Sequence, residues 1–138
     1  MSAPVKVFTL DEANHLLGHV GELIQQLQGL QQSIITTNRK LDEAVEQLAT
    51  GNGYPIQEVK RRLHEFTTHQ LQLVEAFQSA LQQLESLGCF LKDLNMGLVD
   101  FYHLRDSQLV FLCWRLGEER IGFWHGVEEG FAGRQPLA

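Results

Sequence analysis

The sequence predicts an α+β protein in which a long antiparallel two-helix coiled-coil hairpin is followed by a small, mainly antiparallel β-sheet and an ordered C-terminal tail. Three observations predict this class. Apolar residues recur at alternating three- and four-residue spacing through residues 10–48 and again through 56–87, as in helices that pack along one seam. A break containing Gly and Pro at 50–55 separates the two runs. Aromatic residues, which favour strands, are sparse before Gly88 and frequent after it.

The chain is expected to form one domain over residues 1–138, with the helical hairpin at 9–88 and the β-sheet and tail at 89–138. Its 138 residues, 43% hydrophobic and 20% charged, are typical of a globular domain with its own core. A net charge of −6 argues against a nucleic-acid partner. No apolar run reaches the roughly 20 residues of a membrane span, and no signal-peptide core is present. We therefore expect a cytoplasmic protein without membrane or nucleic-acid partners.

Local signals place the ends of both helices. In the opening sequence FTLDEA, Thr9 and Glu12 have the spacing of a capping box. The sequence TGNGYP at 50–55 ends the first helix, and Gly88 is suited to the left-handed position that ends the second. Because a short loop joins two long helices, the pair is expected to be antiparallel.

The layers of the hairpin follow from pairing the residues beside the loop. They are Leu48 with Ile56, Val45 with Val59, Leu41 with Leu63, and Asn38 with Phe66. The polar residues Gln31, Asn38 and Gln70 fall in this seam, and we interpret them as buried amides that fix the register of the helices.

Apolar residues also widen one flank of each helix beside the seam. They are Leu16, Leu23 and Leu30 in the first helix, and Val74 and Leu81 in the second. One flank is expected to meet the sheet of the same chain and the other a second protomer. The pattern therefore predicts a homodimer.

The second half of the sequence predicts four strands, at 89–94, 97–104, 107–117 and 120–126, with the turn residues RDS before the third. Alternation along the third strand places Val110, Leu112 and Trp114 on one face and Phe111, Cys113 and Arg115 on the other.

Ionisable side chains are concentrated among the aromatic residues of this half. The set that could form a polar site is Asp100, Arg115, Glu118, His125 and Arg134. Charged groups in such a setting form either internal salt bridges or a ligand pocket. In a pocket, His125 would serve as general acid and base, and the two arginines would hold an anion.

Two other features receive structural interpretations. His15 and His19 share a helix face, but the other helix offers no second cluster of metal ligands. We therefore expect exposed or interface histidines and predict no metal or cofactor. Cys113 could be a nucleophile only with His125 as its base. Its position within a strand favours a buried packing residue instead.

Three stretches carry a resemblance to a known family. They are FTLDEANHLL at the start, LGCFLKDLNMGLVDF in the middle, and VFLCWRLGEERIGFWHGVEEGFAGRQPL at the end. Together they resemble the domain-of-unknown-function 2203 family of bacterial proteins, over essentially the whole chain. The motif positions are Lys92, Asp93, Asp100, Cys113, Trp114, Glu118, Trp124, His125, Gly130, Gly133, Arg134 and Gln135. The family has no known activity, but the resemblance implies that any site lies in the sheet half and tail.

Two functions follow as hypotheses. The first is a dimeric interaction or scaffold protein, with coiled-coil arms as spacers and the sheet end as a docking surface. The second is a small-ligand-binding protein or enzyme, either with or without a metal, that uses the polar set in the sheet region. The tail GFAGRQPLA at 130–138 is expected to fold back onto the sheet, with Gly130 and Gly133 allowing close turns.

Overall fold

A computed structural model describes residues 5–51, 53 and 55–137, and it confirms the α+β class. The elements are α1 (Leu10–Thr50), α2 (Ile56–Ser86), β1 (Phe90–Asp93), β2 (Leu98–Arg105), β3 (Gln108–Arg115), β4 (Phe123–Gly126), a 3₁₀ turn (Phe131–Gly133) and β5 (Gln135–Pro136). The chain forms two compact units. One contains the described residues 5–26 and 80–137, and the other is Leu27–Ser79.

The predicted helix ends are confirmed by their hydrogen bonds and backbone angles. The N–H of Thr9 donates to Glu12 Oε1 at 2.9 Å, and the N–H of Glu12 donates to Thr9 Oγ1 at 3.1 Å, which is the capping box. Gly88 has φ +95°, and a Cβ there would lie 3.1 Å from the Cβ of Lys6. Glycine is therefore required both by the backbone angle and by the close approach of the N-terminal segment.

In the unit Leu27–Ser79, the seam between the helices differs from the predicted layers near the loop. Val59 is buried as predicted, but its expected partner Val45 is 54% exposed and Ile56 is 57% exposed. The buried positions on α1 are instead Thr37 and Ala44. A repeat of 3.5 residues places positions 44 and 45 on either side of the centre of the seam, so spacing alone cannot choose between them. The sequence pattern favoured the bulkier valine, and that choice was wrong.

The layer nearest the loop was also wrong. Leu48, like Ile56, is exposed. Both residues lie close to the helix ends beside the break.

The five strands form an antiparallel sheet in the order β1-β2-β3-β4-β5, so each strand pairs with its neighbours along the chain. The turn between β2 and β3 consists of Asp106 and Ser107, whose φ angles are 50° and 66°. Positive φ at both positions is the geometry of a two-residue type I′ hairpin. Because this loop is so short, it fixes the register of β2 against β3 from Arg105–Gln108 to Leu98–Arg115.

The two faces of the sheet have different neighbours. The face that we call the helix side includes Trp114, which lies close to Gly21 of α1. It also includes Phe101, whose ring packs edge-on against Phe8 with centroids 5.2 Å apart. The opposite face, called the outer face, carries Phe111 and Cys113 of β3, as the alternation predicted.

The C-terminal tail joins the sheet as the edge strand β5, which pairs with β4. The N–H of Leu137 donates to the carbonyl of Gly122 at 2.9 Å. The sequence predicted an ordered tail but not a fifth strand, because two residues show no alternation. Among the helices of the described residues, none is long and apolar enough to cross a membrane.

Candidate functional site

The register of the sheet brings three ionisable side chains together on the outer face. Asp100 of β2 lies directly opposite Cys113 of β3, and His125 of β4 lies opposite Phe111, two positions along β3 from Cys113. Since side chains two residues apart on a strand share a face, the three side chains converge. Each is buried, and one possible ligand atom from each lies within 4.8 Å of the others.

Asp100 and His125 form a buried pair that must share a proton. The His125 Nδ1 lies 2.8 Å from the carbonyl oxygen of Gly126. That oxygen can only accept, so Nδ1 carries a proton and donates. The Nε2 atom lies 3.0 Å from Asp100 Oδ2. A hydrogen bond there requires one more proton, carried either by the nitrogen or by the carboxyl oxygen.

Burial sets the electrostatics of this pair. The side chains of His125 and Asp100 are 3% and 4% exposed. Burial raises the pKa of Asp100, while the hydrogen bond and charge of His125 oppose that rise. The pair is therefore largely shielded from bulk solvent.

Cys113 completes the cluster as a protonated thiol. Burial, reinforced by the nearby charge of Asp100, raises its pKa to about 11. A thiol with this pKa is almost entirely protonated near neutral pH and is a poor nucleophile. The interpretation of Cys113 as a buried residue is confirmed, and its side chain lies beside those of Asp100 and His125.

A cavity of about 330 Å³ lies over the cluster. Asp100, Cys113 and His125 line it together with Lys92, Leu98 and Phe111, and residues 127–131 form its other side. The Nζ of Lys92 is 5.1 Å from the centre of the Phe111 ring. Five of the motif positions quoted above line this one cavity: Lys92, Asp100, Cys113, His125 and Gly130.

Glu118 and Arg134 form an ion pair, and the Arg134 guanidinium also interacts with the Cys113 side chain. The guanidinium of Arg134 donates to both carboxylate oxygens of Glu118, at 3.3 and 2.9 Å. Its central carbon lies 3.8 Å from the centre of the Phe123 ring and 4.5 Å from that of Phe131. A forked ion pair between two aromatic rings holds the tail against β4.

The five residues of the predicted polar site therefore do not share one pocket. Asp100 and His125 line the cavity, Glu118 and Arg134 pair with each other, and the side chain of Arg115 is exposed. Arg115 enters the arrangement through its backbone, whose N–H donates to Glu118 Oε1 at 2.7 Å. Because the Arg134 fork already holds a carboxylate, this geometry does not favour an enzyme in which the two arginines bind an anion.

Sequence reasoning missed the side of the cavity that the tail region supplies. It also considered only His125 as a partner for the Cys113 side chain. The signal for Asp100 was present, since a two-residue turn at Asp106 and Ser107 implies that residues pair when their numbers sum to 213, as do 100 and 113. The loop at 127–131 has no periodicity that could have indicated its position.

Other polar residues occupy structural positions. His15 and His19 are exposed, and the Nδ1 of His15 lies 2.7 Å from the Asp11 carbonyl of its own helix. In the seam of Leu27–Ser79, Gln70 Nε2 donates to the Ile34 carbonyl at 3.0 Å and to Asn38 Oδ1 at 2.7 Å. The contact joins the two helices, but Asn38 is exposed and Gln70 is half-buried, so the prediction that Asn38 is buried in the seam was wrong.

The fold and the polar cluster define a class: an α+β protein with two long packed helices, a five-stranded antiparallel meander, and buried ionisable groups on the outer face of the sheet. The profile of one family, described as Uncharacterized conserved protein (DUF2203), matches residues 6–137. The chain belongs to that family, which confirms the resemblance seen in its motifs. No curated protein and no solved structure matches it.

Proposed function

We propose that this protein is an interaction protein that acts as a homodimer, and that its dimer surface is an exposed flank of α2. The supporting observation is a second row of residues along this helix. Each of them directly follows, in the sequence, a residue of the seam with α1. The row, called the α2 flank, consists of Lys60, His64, Thr67, Leu71, Val74, Gln78, Leu81 and Glu85. Its alternating spacing of four and three residues is that of a coiled-coil interface.

The middle of the α2 flank is apolar and uncovered. Leu71 is 60% exposed and Val74 is 36% exposed. Single exposed apolar residues are common, but these two are neighbours on one helical stripe. A second helix packed on them would remove both from water.

The charges at the two ends of the flank favour a second copy of this chain as the occupant. In an antiparallel pair centred between Leu71 and Val74, Leu71 meets the partner's Val74, and Lys60 meets the partner's Glu85. Symmetry produces each contact twice. A parallel pair would instead place Lys60 against the partner's Lys60, so the charges select the antiparallel arrangement.

A charge exchange tests this pairing. Lys60→Glu creates repulsion with the partner's Glu85, and we expect the dimer to dissociate about tenfold more readily, since exposed pairs contribute up to about 1 kcal/mol each. Glu85→Lys should have the same effect, and the double variant Lys60→Glu/Glu85→Lys should restore wild-type dimerisation. Sedimentation equilibrium measures all four proteins.

A substitution at the centre should have a larger effect. Leu71→Asp places two carboxylates in the apolar middle, and we expect dissociation to become at least about 100-fold easier. Leu104→Asp is the matched control, because Leu104 is comparably exposed, at 56%, but lies on β2. A monomeric wild type, or a Leu71→Asp protein as dimeric as the control, would refute the proposal.

A further inference from the structure

We infer that Asp100, Cys113 and His125 form a Zn²⁺ site, with three protein ligands and a fourth position facing the cavity. The dimer proposal neither requires this site nor follows from it. The three ligand atoms lie within 4.8 Å of one another. Ligands held about 2.0–2.3 Å from one zinc ion lie roughly 3–4 Å apart, so small side-chain movements suffice.

The surroundings of His125 already have the arrangement found around metal-binding histidines. Such a histidine usually donates its second ring N–H to a carbonyl or carboxylate, which fixes the other nitrogen toward the metal. Here Nδ1 donates to the Gly126 carbonyl at 2.8 Å, which directs Nε2 at Asp100. The three ligands come from three adjacent strands, so the sheet holds them in position before any ion binds.

The chemistry of the donors indicates the ion. One carboxylate oxygen, one imidazole nitrogen and one thiolate sulfur form a mixed set that suits Zn²⁺ better than Mg²⁺ or Ca²⁺, which prefer oxygen alone. Three protein ligands with one open position are typical of zinc sites that bind water or substrate rather than purely structural ones. The cavity of about 330 Å³ leaves room for that fourth ligand.

Binding conserves the charge of the buried cluster. The proton shared by Asp100 and His125 leaves, and so does the thiol proton of Cys113. Zn²⁺ replaces these two protons, and both are released to solvent. The exchange adds no net charge to the buried site.

Zinc and cobalt titrations of the full-length chain test the site. We expect one Zn²⁺ per chain in competition with a chromophoric chelator. Calorimetry in buffers of different ionisation enthalpy should detect the release of about two protons per zinc. The pH is chosen so that the Cys113 thiol and the Asp100–His125 pair each carry their proton. Co²⁺ should bind in place of zinc and show a thiolate-to-cobalt absorption band.

Three variants localise the site. Cys113→Ser should abolish the cobalt band and weaken zinc binding at least tenfold. Asp100→Asn, which can still hydrogen-bond His125, should weaken zinc binding similarly while keeping wild-type circular dichroism. Cys89→Ala is the matched control, because Cys89 is also buried but its sulfur donates to the Leu84 carbonyl. This control should keep both the affinity and the cobalt band.

The inference is overturned if the wild type binds no zinc at stoichiometric concentration, or if Cys113→Ser binds zinc as tightly as wild type. It is also overturned if Cys89→Ala, rather than Cys113→Ser, removes the cobalt band. These measurements do not depend on oligomeric state, so failure of the zinc site and failure of the dimer are separate outcomes.

Discussion

The amide cluster between the helices and the ionisable cluster on the sheet both bury polar groups, but they satisfy them differently. In the unit Leu27–Ser79, Gln70 uses its N–H₂ group on Ile34 and Asn38. Among the described residues, its buried Oε1 has no hydrogen-bond partner. On the sheet, by contrast, both ring nitrogens of His125 are used, one on Gly126 and the other on Asp100.

This difference separates a cluster with an unsatisfied buried acceptor from one whose histidine is hydrogen-bonded at both ring nitrogens. A buried acceptor without a partner lowers stability, so the amide cluster is best explained by the orientation that it gives the helices. The ionisable cluster uses both ring nitrogens of His125, draws its residues from three strands and lines a cavity.

The largest effect on stability is expected from removing the tail beside the ionisable cluster. A chain that ends after Glu129 loses the Arg134–Glu118 fork, the edge strand β5 and part of one side of the cavity. We expect the free energy of unfolding to fall by about 3 kcal/mol or more, because the pairing of β5 with β4, the packing of Arg134 on Phe123 and the charged partner of Glu118 are lost together. Urea denaturation measures this change, and an unchanged midpoint would show that the tail does not stabilise the sheet.

The next largest effect concerns the hydrogen bond between Asp100 and His125, and two substitutions of Asp100 separate this bond from packing. Asp100→Ala leaves His125 Nε2 buried without a partner and should reduce stability by about 2–3 kcal/mol. Asp100→Asn can donate an N–H to the same nitrogen and should cost less than about 1 kcal/mol. Chemical denaturation of both variants gives the comparison. Equal losses would mean that the hydrogen bond to Nε2 contributes nothing.

The smallest effect, and the one of opposite sign, is expected in the amide cluster. Gln70→Leu removes the unpartnered Oε1 and leaves Asn38, which is exposed, free to bond water. We expect stability to rise by about 1 kcal/mol, measured by thermal and urea denaturation. Gln72→Leu, on the exposed side of the same helix, is the control and should change stability by less than about 0.5 kcal/mol. A destabilised Gln70→Leu protein would show that the amide is fully satisfied.

The sequence predicted those features that depend on local periodicity. The capping box at Thr9 and Glu12, the turn before β3 and the two faces of β3 all follow from neighbouring residues. It predicted less well where two positions are equivalent by spacing, as with Ala44 and Val45. It also placed Arg115 in the polar set, although strand geometry leaves that side chain exposed. Internal salt bridges were one of its two alternatives, and Arg134 does pair with Glu118, but spacing could not choose between a salt bridge and a pocket. Those placements depend on register and on loops without periodicity.

One hydrogen bond of the N-terminal segment bears on how the chain can fold during synthesis. The N–H of Phe8 donates to the Tyr102 carbonyl at 2.7 Å, whereas every strand pairs only with its neighbours along the chain. The sheet can therefore form from local contacts soon after its residues leave the ribosome. The start of α1 must wait for residues made nearly a hundred positions later, since long-range contacts form slowly. During translation its buried side chains, including Phe8 and Ile24, would be exposed longest.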